Sequence, residues 1–274
     1  MPLDQVSDKA EMSFLEHLEE LRWHLVRSVA AIVIFGVIAF SNKKILFDQI
    51  ILAPKNPDFF TYRMMCKLSQ AVRVDDLLCI EKIPFQLINI TMSGQFTTHI
   101  LVSVIAGFII SFPYVFWEIW RFIKPALMPE ELKYTRGIVF FTSLLFGIGV
   151  LFGYYIISPL SVNFLGSYTI SDEVFNQISL TSFITTVATI TLASGLLFEL
   201  PIVVFFFSKI GVLTPEFMRA YRKHAYIVIL ILSAVITPPD ISSQILISIP
   251  IFLLYEISIY ISKVTVARQE ELLS

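Results

Sequence analysis

Four apolar stretches of this chain, residues 24–41, 100–120, 137–158 and 183–207, have the length needed to cross the ~30 Å hydrocarbon core of a bilayer as helices. Two shorter ones, 225–237 and 245–261, flank Pro238-Pro239-Asp240, a tight turn that cannot continue a helix. In lipid every backbone N–H and C=O must be satisfied within the protein, which leaves helices as the natural solution for such segments. The expected fold is therefore an all-α integral membrane protein of about six transmembrane helices, the last two short. A single re-entrant hairpin is the alternative for the final pair. Lys263 and Arg268 close the sixth segment as basic groups close the second and fourth, which favours two short spans. Composition agrees: charged residues are 15% of the chain, against about 25% in a soluble domain. The net charge of -2 points to neither nucleic acid nor an acidic partner.

The first stretch is preceded by acidic residues (Glu11, Glu16, Glu19, Glu20) and followed by Ser41-Asn42-Lys43-Lys44, with no small-residue cleavage pattern, so it reads as a retained span. Orientation follows from the short loops. Arg121, Lys124, Lys133 and Arg136 lie between spans two and three, and Lys209, Arg219, Arg222 and Lys223 between spans four and five. The loops at 159–182 and 238–243 contain no Lys or Arg. The positive-inside rule puts the basic loops, and with them both termini, in the cytoplasm. The chain then reads as one membrane domain over 1–274, with a cytoplasmic amphipathic segment at 1–23, an extended external loop at 42–99 and a cytoplasmic tail at 263–274. The external loop holds both cysteines, Cys66 and Cys79, where an oxidising compartment would let them pair; two unpaired thiols are the alternative.

Four places carry candidate chemistry. Ser13 and Glu16 have the form of a capping box, and Phe14, Leu18, Leu21 and Leu25 recur at helical spacing while Glu19, Glu20 and Arg22 fall elsewhere on the wheel. A second element runs from Phe112 to Glu131, with Trp117 and Trp120 as interfacial anchors and Pro125 and Pro129 interrupting the helix. Third is Glu199, a carboxylate well inside the fourth span with Pro201 close behind. Such a group costs about 2.5–3.5 kcal/mol on insertion scales, so it should face the bundle, a water-filled cavity or a polar partner. Last is the external turn with Asp240, Ser242 and Gln244, for which a helix cap is a sufficient explanation. The four His are scattered without metal-ligand spacing, and no nucleophile-elbow or phosphate-loop pattern occurs. The residues therefore suggest neither an enzyme nor a cofactor. An ion-coupled secondary transporter using Glu199 is the rival reading, although no internal repeat supports it.

Taken together, His17-Leu18-Glu19-Glu20-Leu21-Arg22, the stretch from Phe112-Pro113 through Trp120-Arg121-Phe122-Ile123-Lys124-Pro125-Ala126-Leu127 to Glu131, Phe198-Glu199-Leu200-Pro201 and Thr237-Pro238-Pro239-Asp240 with Gln244 resemble the TatC family. That family supplies the multispanning subunit of the bacterial twin-arginine protein translocase. The resemblance implies a signal-peptide site at Glu20, Arg22, Phe122, Pro125, Leu127 and Glu131, and a contact from Glu199 to a TatA-like or TatB-like single-span partner. It also implies family positions at Pro54, Tyr154, Asp240 and Gln244, an oligomeric complex, and residence in the bacterial inner membrane. Carboxylates suit such a task because they accept bidentate, charge-assisted hydrogen bonds from guanidinium groups. Two departures stand out. His24 replaces a frequently basic residue, and Glu118 replaces a frequent Gln. The external loop also looks longer than usual.

Overall fold

The computed structural model describes residues 14–72, 79, 85–124, 137–171, 173, 176–236 and 241–273. In chain order the helices are α1 (Phe14–Ser41), α2 (Phe60–Val72), α3 (Gly94–Ile123), α4 (Ile138–Phe152), α5 (Ser158–Ser167), α6 (Leu180–Phe198), α7 (Leu200–Lys209), α8 (Pro215–Ala220), α9 (Arg222–Ile236) and α10 (Ile241–Leu273). Strand β1 (Gln86–Ile88) lies between α2 and α3, and β2 (Gln177–Ser179) between α5 and α6. Among the described residues, five helical stretches are long and apolar enough to cross a membrane: Leu18–Ser41, Gly94–Ile123, Ile138–Ser167, Leu180–Lys209 and Ser243–Ala267. Their outward faces are apolar. Val29, Val33 and Val37 on α1 and Ile227, Ile231 and Val235 on α9 repeat at four-residue spacing, all exposed, as lipid-facing stripes do. The molecule is an all-α, multi-pass membrane protein.

Of the last two segments, only the sixth differs in helix length from the sequence expectation. Helix α9 is short, and its 15 residues span roughly 22 Å at 1.5 Å per residue. The sixth segment is not short: α10 has 33 residues, roughly 50 Å by the same rise. Lys263 and Arg268, read from the sequence as closing this segment, lie within α10, because the stretch after Pro250 contains no Gly or Pro to break the helix before Leu273. The third span likewise runs on past Ser158. Pro159 falls in the first turn of α5, where a missing N–H costs little. A π-helical turn, Gly153–Ile157, joins α4 to α5.

Close helix crossings depend on glycine. A Cβ on Gly107 of α3 would lie 2.6 Å from the Gly36 nitrogen and the Ile32 carbonyl oxygen of α1. Gly149 of α4 meets α6 in the same way, 2.7 Å from Phe198 Cβ and the Ser194 carbonyl oxygen. Small residues of this kind let membrane helices approach where burial against lipid supplies no hydrophobic drive. Beside that crossing Phe112 and Phe146 stack with ring centroids 3.6 Å apart. Several polar side chains within the spans are satisfied locally: Ser28, Thr191, Ser233 and Ser258 each donate to the carbonyl one turn earlier.

The segment after α1 carries secondary structure of its own. A π-helical turn (Ile45–Ile51) and a short 3-10 turn (Ala53–Lys55) lead into α2. Then β1 pairs in parallel with β2, Gln86 opposite Gln177 and Ile88 opposite Ser179, tying this segment to the loop before α6. Disulfide-bonded Cys66 and Cys79 close a loop at the end of α2.

Candidate functional site

At the end of the bundle where α1 begins and α3 ends, two buried side chains meet. His24 Nδ1 lies 2.5 Å from Glu118 Oε2, with 6% and 1% of each residue exposed. Arg27 Nη1 is 3.7 Å from the same oxygen, and the Tyr114 hydroxyl lies near the same carboxylate. The two departures noted in the sequence are therefore partners across 94 residues. One helical turn away on each helix are Glu20 and Phe122, both half-buried. The Phe122 ring meets the His24 ring edge-on at 6.1 Å. Arg22 is exposed, 3.4 Å from Glu19 and over the Trp23 ring. Glu20, Arg22 and Phe122 are thus brought to one end. Pro125, Leu127 and Glu131 lie outside the described residues.

Glu199 sits where α6 gives way to α7. Pro201 occupies the first turn of α7, and the Glu199 carbonyl accepts from Ile202 and Val203, so backbone bonding resumes directly after the proline. The side chain points into the bundle. The backbone of Phe146 on α4 approaches the carboxylate, yet among the described residues neither oxygen has a hydrogen-bond partner of acceptable geometry. Thr142 and Ser143, one turn from Phe146, also have buried hydroxyls without partners there. A seam with several unsatisfied polar atoms is costly in lipid and is suited to a polar group supplied from outside.

Pro54 and Tyr154 lie towards the opposite end, each in a separate hydrogen bond. The Tyr62 hydroxyl lies 3.0 Å from the Pro54 carbonyl oxygen and 2.7 Å from the Pro159 carbonyl oxygen, its single proton shared between the two acceptors. Burial pushes the Tyr62 phenol pKa above its ordinary value. Tyr154 donates to the Ile50 carbonyl at 2.7 Å, and Thr61 to the Tyr155 carbonyl. Tyr62 thereby ties α2 to α5, and Tyr154 and Thr61 tie the Gly153–Ile157 turn to the segment that follows α1. Gln244 donates to the Leu230 carbonyl at 3.2 Å, joining α10 to α9. Asp240 lies outside the described residues. Among the described residues no group of His, Cys, Asp and Glu is arranged to hold a metal ion.

Sequence reasoning missed Glu256. It lies within α10, where it accepts from Arg222 at 2.8 Å and from the Tyr226 hydroxyl at 2.5 Å. The signal was available: a carboxylate inside an apolar segment needs a partner, and Arg222 begins the preceding helix.

The fold and these buried carboxylates define a multi-pass helical membrane protein organised around polar contacts between its spans. A sequence profile described as "Sec-independent protein translocase protein (TatC)" matches residues 16–250. The chain belongs to the TatC family. It is 42% identical over 257 residues to the Sec-independent protein translocase protein TatC of Blattabacterium sp. subsp. Periplaneta americana, covering 93% of this chain and 97% of the relative. To the TatC of Aquifex aeolicus it is 32% identical over 262 residues, covering 95% and 99%. It also superposes on a crystal structure titled "Twin Arginine Translocase Receptor- TatC" with a TM-score of 0.70 at 32% identity, covering 91% of this chain and 99% of that one. These likenesses are to a translocase and do not favour the secondary transporter.

Proposed function

We propose that this protein is the signal-peptide receptor and core subunit of a twin-arginine translocase in a bacterial inner membrane, with both termini in the cytoplasm. In this reading it exports folded proteins without hydrolysing ATP itself. Glu20 and Glu131 receive the two arginines of the signal peptide, with Arg22, Phe122, Pro125 and Leu127 around them. The observation that carries the reading is the convergence of Glu20, Arg22 and Phe122 at one end of the bundle, on two helices held together by His24 and Glu118. A guanidinium presents a planar fork of donors, and carboxylates on separate elements take one fork each. Family membership supports the same assignment.

Glu199 is the contact for a polar side chain on a TatA-like or TatB-like single-span partner. Its unsatisfied oxygens support this. Because the carboxylate faces the bundle, the partner must reach it through the seam between α4 and the α6–α7 junction. Site-specific photocrosslinking from positions 20, 131 and 199 tests the assignment. Capture of a twin-arginine precursor at the first two positions and a single-span partner at the third is the expected result. Capture of neither overturns it.

A further inference from the structure

Among residues 18–27, at the start of α1, His24 alone is buried; Leu18, Leu21, Trp23 and Leu25 are all exposed. Within those residues the apolar side chains of α1 give it little hold on the bundle. The tight glycine crossing comes only at Gly36, more than three turns further on. At this end the polar contact between α1 and α3 is the His24–Glu118 pair, short, enclosed and flanked by Arg27 and Tyr114, with Ser28 and Ala31 the next buried residues along α1. The pair also lies directly beneath the residues of interest. Glu20 is one turn before His24 on the same face of α1, and Phe122 one turn after Glu118 on the same face of α3.

We propose that His24 and Glu118 form a positioning pair that sets where α1 presents Glu20 relative to Phe122 on α3, and thereby sets the affinity of the site for a twin-arginine peptide. The inference rests on the receptor reading above. Neither residue touches the peptide; they act through the residues one turn away. A buried carboxylate whose partner is removed keeps its desolvation cost and seeks another arrangement. Losing either member therefore shifts the end of α1. Losing the second member as well adds little, because the contact is already gone.

The test uses the full-length protein in lipid nanodiscs and a fluorescent peptide bearing two consecutive arginines, reading both Kd and the number of sites at saturation. His24→Leu and Glu118→Leu should each weaken Kd by about tenfold, within the range of coupling between residues of one network. The number of sites should be unchanged, and the double variant should be no weaker than either single one. Glu118→Gln, which keeps an acceptor for the His24 ring, should stay close to the parent. Unchanged Kd in both single variants overturns the proposal, as do effects that multiply in the double variant. Loss of sites at constant Kd also overturns it, because that marks a purely structural contact. Should Leu at position 24 prevent insertion, Glu118→Leu removes the same contact from the other side and decides alone. Glu20→Gln, measured in parallel, separates the two readings. An unaltered Kd there sinks the receptor assignment, whereas a weakened Kd there with unaltered His24→Leu and Glu118→Leu sinks only the positioning pair.

Discussion

Arg222 Nη2 and Glu256 Oε2 stand 2.8 Å apart, joining the first residue of α9 to the interior of α10. Tyr226 donates to the other oxygen of the same carboxylate, and Gln244 reaches the Leu230 carbonyl further along. Together these contacts define an antiparallel hairpin in which the short helix is registered against the long one by polar bonds. Arg222→Ala and Tyr226→Phe should each lower stability by about 0.5–1.5 kcal/mol, the range found for polar contacts between membrane helices. Thermal unfolding in detergent measures this, and unchanged midpoints in both variants would contradict the clamp.

Glu199 should behave in the opposite way. Its carboxylate is buried with no hydrogen-bond partner among the described residues, so Glu199→Leu removes a desolvation cost and no bond. Stability should be unchanged or raised by about 1–3 kcal/mol, while crosslinking of a single-span partner at this seam falls. A marked loss of thermal stability in Glu199→Leu would show that the carboxylate has an internal partner after all.

The single Tyr62 hydroxyl proton is shared between two carbonyls, so Tyr62→Phe should cost about 1–3 kcal/mol by leaving a buried acceptor unpaired. Its folded pKa is raised above the unfolded value, so its contribution is intact below about pH 10. It falls away as the pH climbs from there towards the folded value. Alkaline unfolding followed by fluorescence should show this limb in the parent and a flatter one in Tyr62→Phe. Identical pH profiles would rule out Tyr62 as the group responsible.

The Cys66–Cys79 bond closes a short loop, with a sequence separation of 13. Loop entropy of that size corresponds to about 3 kcal/mol, an upper limit on what replacing both cysteines with Ser should cost. The same bond reports sidedness. In intact spheroplasts a membrane-impermeant maleimide should label these thiols only after reduction. Labelling that requires membrane permeabilisation would reverse the proposed orientation.

The membrane class and most spans were legible because apolar length is a direct consequence of bilayer thickness. Glu199 was legible for the related reason that a carboxylate in such a run is costly. What escaped the sequence depended on contacts between distant segments. Nothing near His24 announces Glu118, since each alone reads as an ordinary polar residue near a span end. The β1–β2 pairing involves only three residues per strand, too few for a periodic pattern. The helical length of α10 is not legible because Lys263 and Arg268 mark the end of the apolar run and not of the helix, which stops only where something breaks or caps it.

The central claim is that Glu20, together with Glu131, reads paired arginines. The most direct measurement compares binding of a twin-arginine peptide and its twin-lysine counterpart to the purified protein in nanodiscs. Lysine supplies a point charge without the planar fork, so the arginine peptide should bind at least about tenfold more tightly. Glu20→Gln and Glu131→Gln should each erase that preference. Equal affinity for the two peptides in the parent protein, or an undiminished preference in both variants, would contradict the account.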